Sequence, residues 1–242
     1  MGSGAYLALS GLQTRIDQLD LLSADVANAG TTGYKGQGTA TYGNTRPTFD
    51  QTLKTAVDPT LGQVKINYQD GTIAPTGRAL DFAINGKGFF VIDTAAGTRY
   101  TRDGGFVRLT DGTLATAADH STVEGIDDKP IILPPNGALT VESDGTIRVN
   151  GAQVGQLKVV DFQDYSKLQR QGAARFTVVG EQPTAMGKPD VVSGALEQSN
   201  VSVSRDMARV VELSRTFDAM NKGISVLMND VERQAITQLG KP

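Results

Sequence analysis

The sequence predicts an α+β fold in which N- and C-terminal helices pair as a coiled-coil domain, with a central, hairpin-rich all-β domain and extended linker segments. Three observations carry this expectation. Each end of the chain shows apolar residues in alternating four-three spacing, the seam that lets helices wind around a partner. The stretch between them lacks any helical period. Six Asn-Gly or Asp-Gly pairs punctuate residues 80–196 of that stretch, and each such pair favours a tight turn between strands. Two terminal helices with nothing helical between them can bury their stripes only against each other or against another copy of the chain.

The N-terminal seam runs through Ala5, Leu9, Leu12, Ile16, Leu19, Ser23 and Val26, with Arg15, Asp17, Gln18 and Asp25 off it. The helix ends in Asn28-Ala29-Gly30-Thr31-Thr32-Gly33, where Gly30 and Gly33 permit the turn into extended chain. From Gly36 to Gly77 there is little periodicity, and Pro47, Pro59 and Pro75 interrupt it. An extended segment is expected there, with a short helical piece near Asp50 to Val57.

The turn pairs are Asn85-Gly86, Asp103-Gly104, Asp111-Gly112, Asn136-Gly137, Asp144-Gly145 and Asn150-Gly151. Around them lie short apolar runs at Phe89–Ile92, Phe106–Leu109, Leu139 and Val141, Ile147 and Val149, and Leu157 to Phe162. The clearest hairpin folds Leu139 to Val149 about Asp144-Gly145. Gly86 and Gly88 read as hairpin geometry that supports Phe89 and Phe90 in a core. The closing helix carries a seam of Val203, Met207, Val210, Ser214, Phe217, Asn221, Ile224, Met228, Val231 and Ala235. Asn221 interrupts it, as a register-setting polar residue would. The expected division is residues 1–35 for the first helix, 36–77 for the linker, 78–198 for the β domain and 199–242 for the last helix.

Chemistry-bearing residues are sparse. With no Cys, no Trp and a single His, His120, the chain offers no thiolate, disulfide or Cys-based metal site. His120 stands beside Asp119 and Ser121, but triad members meet through the fold rather than as sequence neighbours. Asp127-Asp128 lacks the spacing of a calcium loop and reads as a solvated turn. Gly86-Lys87-Gly88 lacks the third glycine and following helix of a dinucleotide fingerprint. No enzyme, cofactor or metal site is therefore expected. A formal charge of -3 without any basic patch points away from nucleic acid. No basic leader followed by an apolar core is present, nor a run long enough to span a bilayer, so export without a cleaved signal peptide and no direct membrane insertion are expected.

Several long segments carry a specific resemblance. Asp25-Val26-Ala27-Asn28-Ala29-Gly30-Thr31-Thr32-Gly33-Tyr34-Lys35 is similar to the first signature of the flagellar axial proteins, the rod and hook subunits of the bacterial flagellum. Asp25 and Val26 stand where that pattern has Asn and Leu. Thr76 to Val91, Tyr100 to Phe106, and Gly194 to Val201 followed by Met207 to Phe217 resemble the family's later signatures in the same order. Within the family, length and the Thr76 to Gly86 form look most like the proximal rod members, with a distal rod or hook-type subunit, or a soluble non-catalytic adaptor, as alternatives.

The resemblance implies a structural subunit of the basal-body rod, which spans the periplasm, part of the drive shaft and export channel. It would be exported through the flagellar type III apparatus and would polymerise helically with its own copies and with other rod proteins. It also implies terminal helices in an inner domain and a β domain outside. The residues expected to carry assembly are Leu9, Leu12, Ile16, Leu19, Val26, Asn28, Val210, Phe217, Asn221, Ile224, Met228 and Val231.

Overall fold

The computed structural model describes residues 2–39 and 64–239, the side chains of 2–10, 39, 224 and 226–239 excepted. The chain divides into two compact units. The first comprises residues 1–27, 37–66 and 202–242, and the second residues 28–36 and 67–201. The helical piece expected near Asp50 to Val57 lies outside the described residues.

Two helices are found among the described residues of the first unit, α1 (Gly2–Ala27) and α2 (Val203–Leu239). They lie side by side and antiparallel: Gly11 meets Met220, while Leu21 and Leu22 share a cleft with Arg209 and Leu213. A Cβ on Gly11 would stand 3.0 Å from Met220 Cε, so glycine allows the close approach. Strands Gln37–Thr39 and Val64–Ile66 form an antiparallel ladder in the same unit. The Asp25 carboxylate, buried at the end of α1, accepts the Gln37 N–H at 2.8 Å and so ties helix to strand.

The α+β class holds, but the coiled-coil pairing of the terminal helices does not. Along α2 the inward residues are Asp206, Val210, Leu213, Phe217 and Met220, whereas Val203, Met207 and Ser214 are exposed. On α1, Ile16 and Ser23 of the predicted seam are exposed too. The reason is the apolar surface gained. Turning α2 so that Leu213 takes the place of Ser214, and Met220 joins Asn221, beside Val210 and Phe217 removes more hydrocarbon from water.

The second unit is antiparallel β throughout its described ladders. Its largest sheet runs in the order Leu168–Arg170, Arg175–Val178, Gly97–Thr101, Phe89–Thr94, Thr122–Val123, Leu114–Thr116, Phe106–Arg108, with Val159–Asp161 also pairing to Phe89–Thr94. A meander of Leu139–Val141, Thr146–Val149 and Ala152–Gln156 stands beside it. Two short ladders pair Phe82–Ile84 with Val191–Ser193, and Ile73–Pro75 with Ala195–Glu197. The core is aromatic and branched: Phe82, Phe90, Phe106, Leu114 and Ile147 are fully buried. Phe106 meets Phe90 edge-on at 5.4 Å between ring centres, a favoured aromatic geometry.

Three of the six turn pairs close hairpins. Asp144-Gly145 and Asp111-Gly112 do so with an Asx turn, the aspartate accepting the N–H two residues on (Thr146 and Thr113, each 2.9 Å). Those backbone hydrogen bonds also hold both carboxyls below the usual carboxylate range. At Asn150-Gly151 both φ angles are positive, 52° and 83°, the type I′ form that matches strand twist. The other three pairs join strands of different ladders. Short-range sequence specifies a bend in the backbone, whereas the partner of each flanking strand is chosen by where its apolar face is buried.

Candidate assembly interface

The residues expected to carry assembly sit mostly on the helix pair. Leu12, Leu19 and Val26 on α1, and Val210, Phe217 and Asn221 on α2, are half-buried, while Ile16 is 38 % exposed. Leu9, Ile224, Met228 and Val231 belong to the two helices, with side chains outside the described set. Asn28 lies past the end of α1 in the second unit, where its side chain accepts from the Thr31 hydroxyl at 3.2 Å and its carbonyl from the Thr31 N–H.

The two helices use one face for each other and still present apolar residues outward. Val203, Met207 and Val211 are 44 %, 50 % and 51 % exposed, and their four-residue spacing places them along one side of α2. Val211 escaped the sequence reading because it falls beside Val210, one position off the expected seam. Between α1, α2 and the strand at Gln37 lies a cleft of about 600 Å³, lined by Leu21, Leu22 and Leu213 together with Arg15, Arg209 and Glu212. Leu213 was detectable in the sequence as the residue three after Val210 and four before Phe217. Asp206 opens α2, where a carboxylate complements the helix dipole, with Arg209 at 3.6 Å.

The predicted turn glycines divide by what surrounds them. Gly33 has φ 66°, and a Cβ there would stand 2.3 Å from the Asp103 amide nitrogen. Gly88 has φ 116° and lies against Val159 and Met186. Gly30 and Gly86 have open space around the missing Cβ, though Gly86 has φ 94° and its carbonyl accepts from Arg102. The turn at Gly86 and Gly88 links two strands that pair elsewhere rather than with each other, which departs from the expected hairpin.

The residues with chemical potential are occupied structurally. The Asp119 carboxylate accepts from Arg175, Thr116 and Ser121, and the Arg175 guanidinium holds it well below the usual carboxylate range. His120 sits beside it on an exposed turn at φ 59°. Asp128 pairs with Lys158. Among the described residues no group of three His, Cys, Asp or Glu side chains converges as a metal site would.

Comparison with known proteins bears on this geometry. A family model described as the flagellar hook protein FlgE/F/G D1 domain matches residues 83–149, within the β unit. A second, the flagellar basal body rod FlgEFG protein C-terminal model, matches 192–228, which takes in most of α2. The flagellar basal-body rod protein FlgF of Rhizobium meliloti (strain 1021) is 32 % identical, over 99 % of this chain and 99 % of its own length. The chain belongs to the flagellar basal-body rod protein family. It is of the FlgF type. FlgF of Caulobacter vibrioides is 28 % identical over 100 % of this chain and 99 % of its own. The FlgG rod protein of Bacillus subtilis (strain 168) is 29 % identical over 91 % and 93 %. In this rod-family chain the two matched segments include the aromatic core strands and the helix bearing the outward Met207 stripe.

Proposed function

We propose that the protein is a structural subunit of the flagellar basal-body rod, of the proximal type, that joins its own copies and other rod proteins through the outward faces of α1 and α2. The observation that carries the assembly reading is the row Val203, Met207 and Val211, held about half-exposed on a helix whose opposite side is already covered. Full-length similarity to FlgF rod proteins supports the location. A subunit of a filament needs surfaces that stay uncovered until a neighbour arrives, and a head-to-tail contact whose rotation does not close builds a filament rather than a ring. Leu12, Leu19, Val26, Val210 and Phe217 serve this by holding the helix pair, while Ile16, Met207 and Val211 meet the neighbour. Passage to the rod through the flagellar export apparatus, with no catalytic step by the subunit itself, completes the reading.

The test is a deletion strain imaged by electron cryotomography alongside a motility assay. Basal bodies that stop before a complete rod, restored by the wild-type gene, are the expected result. Motile cells with intact rods would overturn the assignment.

A further inference from the structure

Buried charge in the second unit is concentrated where three distant pieces of chain meet. Lys35 Nζ, on a residue 1 % exposed, donates to Glu197 Oε1 at 2.6 Å and to the Gln69 carbonyl at 2.8 Å. Glu197, equally buried, also accepts the Gly71 N–H at 2.8 Å and, on its other oxygen, Arg102 Nη1 at 3.2 Å. Arg102 further donates to the carbonyls of Ile84 and Gly86, with the half-exposed Asp70 at 3.5 Å. One carboxylate thus sits between two buried cations.

Asn200 binds the same three pieces together. Its Oδ1 accepts the Gly36 N–H at 2.7 Å, and its Nδ2 donates to the carbonyls of Asn67 and Gln69, each at 2.8 Å. Backbone bonds repeat the pattern: Gly33 N–H to Glu197 carbonyl, Asn67 N–H to Gly36 carbonyl, Gln198 N–H to Thr72 carbonyl. Arg170 covers the junction, its guanidinium 4.4 Å from the centre of the Tyr34 ring while donating to the Lys35 carbonyl. The contact is so close at Gly71 that a Cβ would stand 1.9 Å from the Gln198 carbonyl oxygen.

The division into units gives this cluster its meaning. The chain passes from one unit to the other after residues 27, 36, 66 and 201. Three of those passages abut the segments 33–36, 67–72 and 197–200. We infer that Lys35, Glu197, Arg102 and Asn200 form a latch that sets the register of these three segments and thereby the points at which the chain leaves the second unit. Apolar side chains of similar volume would hold the segments at least as firmly, so strength alone does not account for ions here. What an ionic cluster supplies is a single seating. A slip of one residue in the 33–36 or 197–200 segment would strand Lys35 or Arg102 in the interior without its carboxylate, and a slip in 67–72 would take the Gln69 carbonyl from Lys35 and the Gly71 N–H from Glu197; buried charge without its partners is strongly disfavoured. Because 162 residues separate Lys35 from Glu197, the Gly33–Gly36 segment docks only when the C-terminal segment is in place. These are positioning residues, and the inference stands apart from the rod assignment.

Hydrogen exchange read by mass spectrometry on the full chain tests it, with Glu197→Gln, Lys35→Met and the double variant. Glu197→Gln keeps the shape and removes the charge. The expected result is about tenfold or greater loss of protection at Gly33, Gly36, Asn67, Gly71 and Asn200, with the Phe89–Thr101 hairpin unchanged. Lys35→Met, which leaves Glu197 paired with Arg102, is expected to loosen the same amides less, and the double variant less than the product of the singles. If Glu197→Gln does not fold, the Lys35→Met pattern decides. Uniform loss across the sheet, unchanged protection at the junction, or strictly multiplicative effects would overturn the latch.

Discussion

Met207→Asp separates assembly from folding more sharply than any other substitution on the helices. Val203, Met207 and Val211 are each about half-exposed, and complete burial of such a side chain contributes about 1.5–3 kcal/mol. Covering the remaining half of all three is therefore worth about 3 kcal/mol per contact, close to a hundredfold or more in the association constant. Aspartate at 207 removes its share and places a carboxylate in the contact, which costs several kcal/mol unless the group reaches water or a cation. In the isolated subunit the same change falls on solvent and leaves thermal stability within about 0.5 kcal/mol. Leu213→Asp, on the inward face, is the control, because it disrupts the α1–α2 contact before any neighbour is involved. The assay is complementation of the deletion strain by each variant, with swimming, basal-body imaging and circular dichroism of the purified protein. Normal rods built from Met207→Asp, or a helix pair that melts in that variant as it does in Leu213→Asp, would refute the placement of the assembly face.

Three other substitutions and one change of pH probe the β unit. Gly33→Ala introduces both a left-handed backbone penalty and a clash with the Asp103 amide, and should destabilise by about 2 kcal/mol or more in thermal melts. Gly30→Ala, with open space around it, should change the melt by less than about 0.5 kcal/mol. Phe90→Ala empties a fully buried position against Phe106 and should cost about 3–5 kcal/mol in denaturant titration. Burial pushes the Tyr68 phenol up to about 12 and raises Tyr165 as well. The unfolded chain releases those protons near pH 10, so the stability they contribute is intact below pH 10 and lost as pH rises toward 12. Alkaline titration followed by phenolate absorbance should show these protons leaving together with the loss of near-ultraviolet circular dichroism.

Local signals in the sequence went far for the hairpins and less far for the helices. Asn150-Gly151 closes a hairpin because its own two residues adopt the positive φ angles that glycine and asparagine tolerate. At Asn85-Gly86 only the glycine takes a positive φ, 94°, and the strands on either side find other partners, since pairing depends on apolar residues far away in the sequence. On α2 two seams were available, one through Met207, Ser214 and Asn221 and one through Leu213 and Met220, with Val210 and Phe217 common to both. Spacing alone ranks them equally; the area each buries against α1 does not.

The 242-residue sequence by itself determined that helices stand at both ends, that the middle is turn-rich β structure, that thiol chemistry is absent, and which family the chain resembles. Each rests on neighbouring residues: periodicity, turn pairs, composition and short signatures. Tertiary structure alone decided which side of α2 faces inward, leaving Val203, Met207 and Val211 outward, and it alone brought Lys35, Arg102 and Glu197 together. Charges 95 and 162 residues apart carry no local sign of one another, because their attraction becomes strong only once folding has removed the water between them.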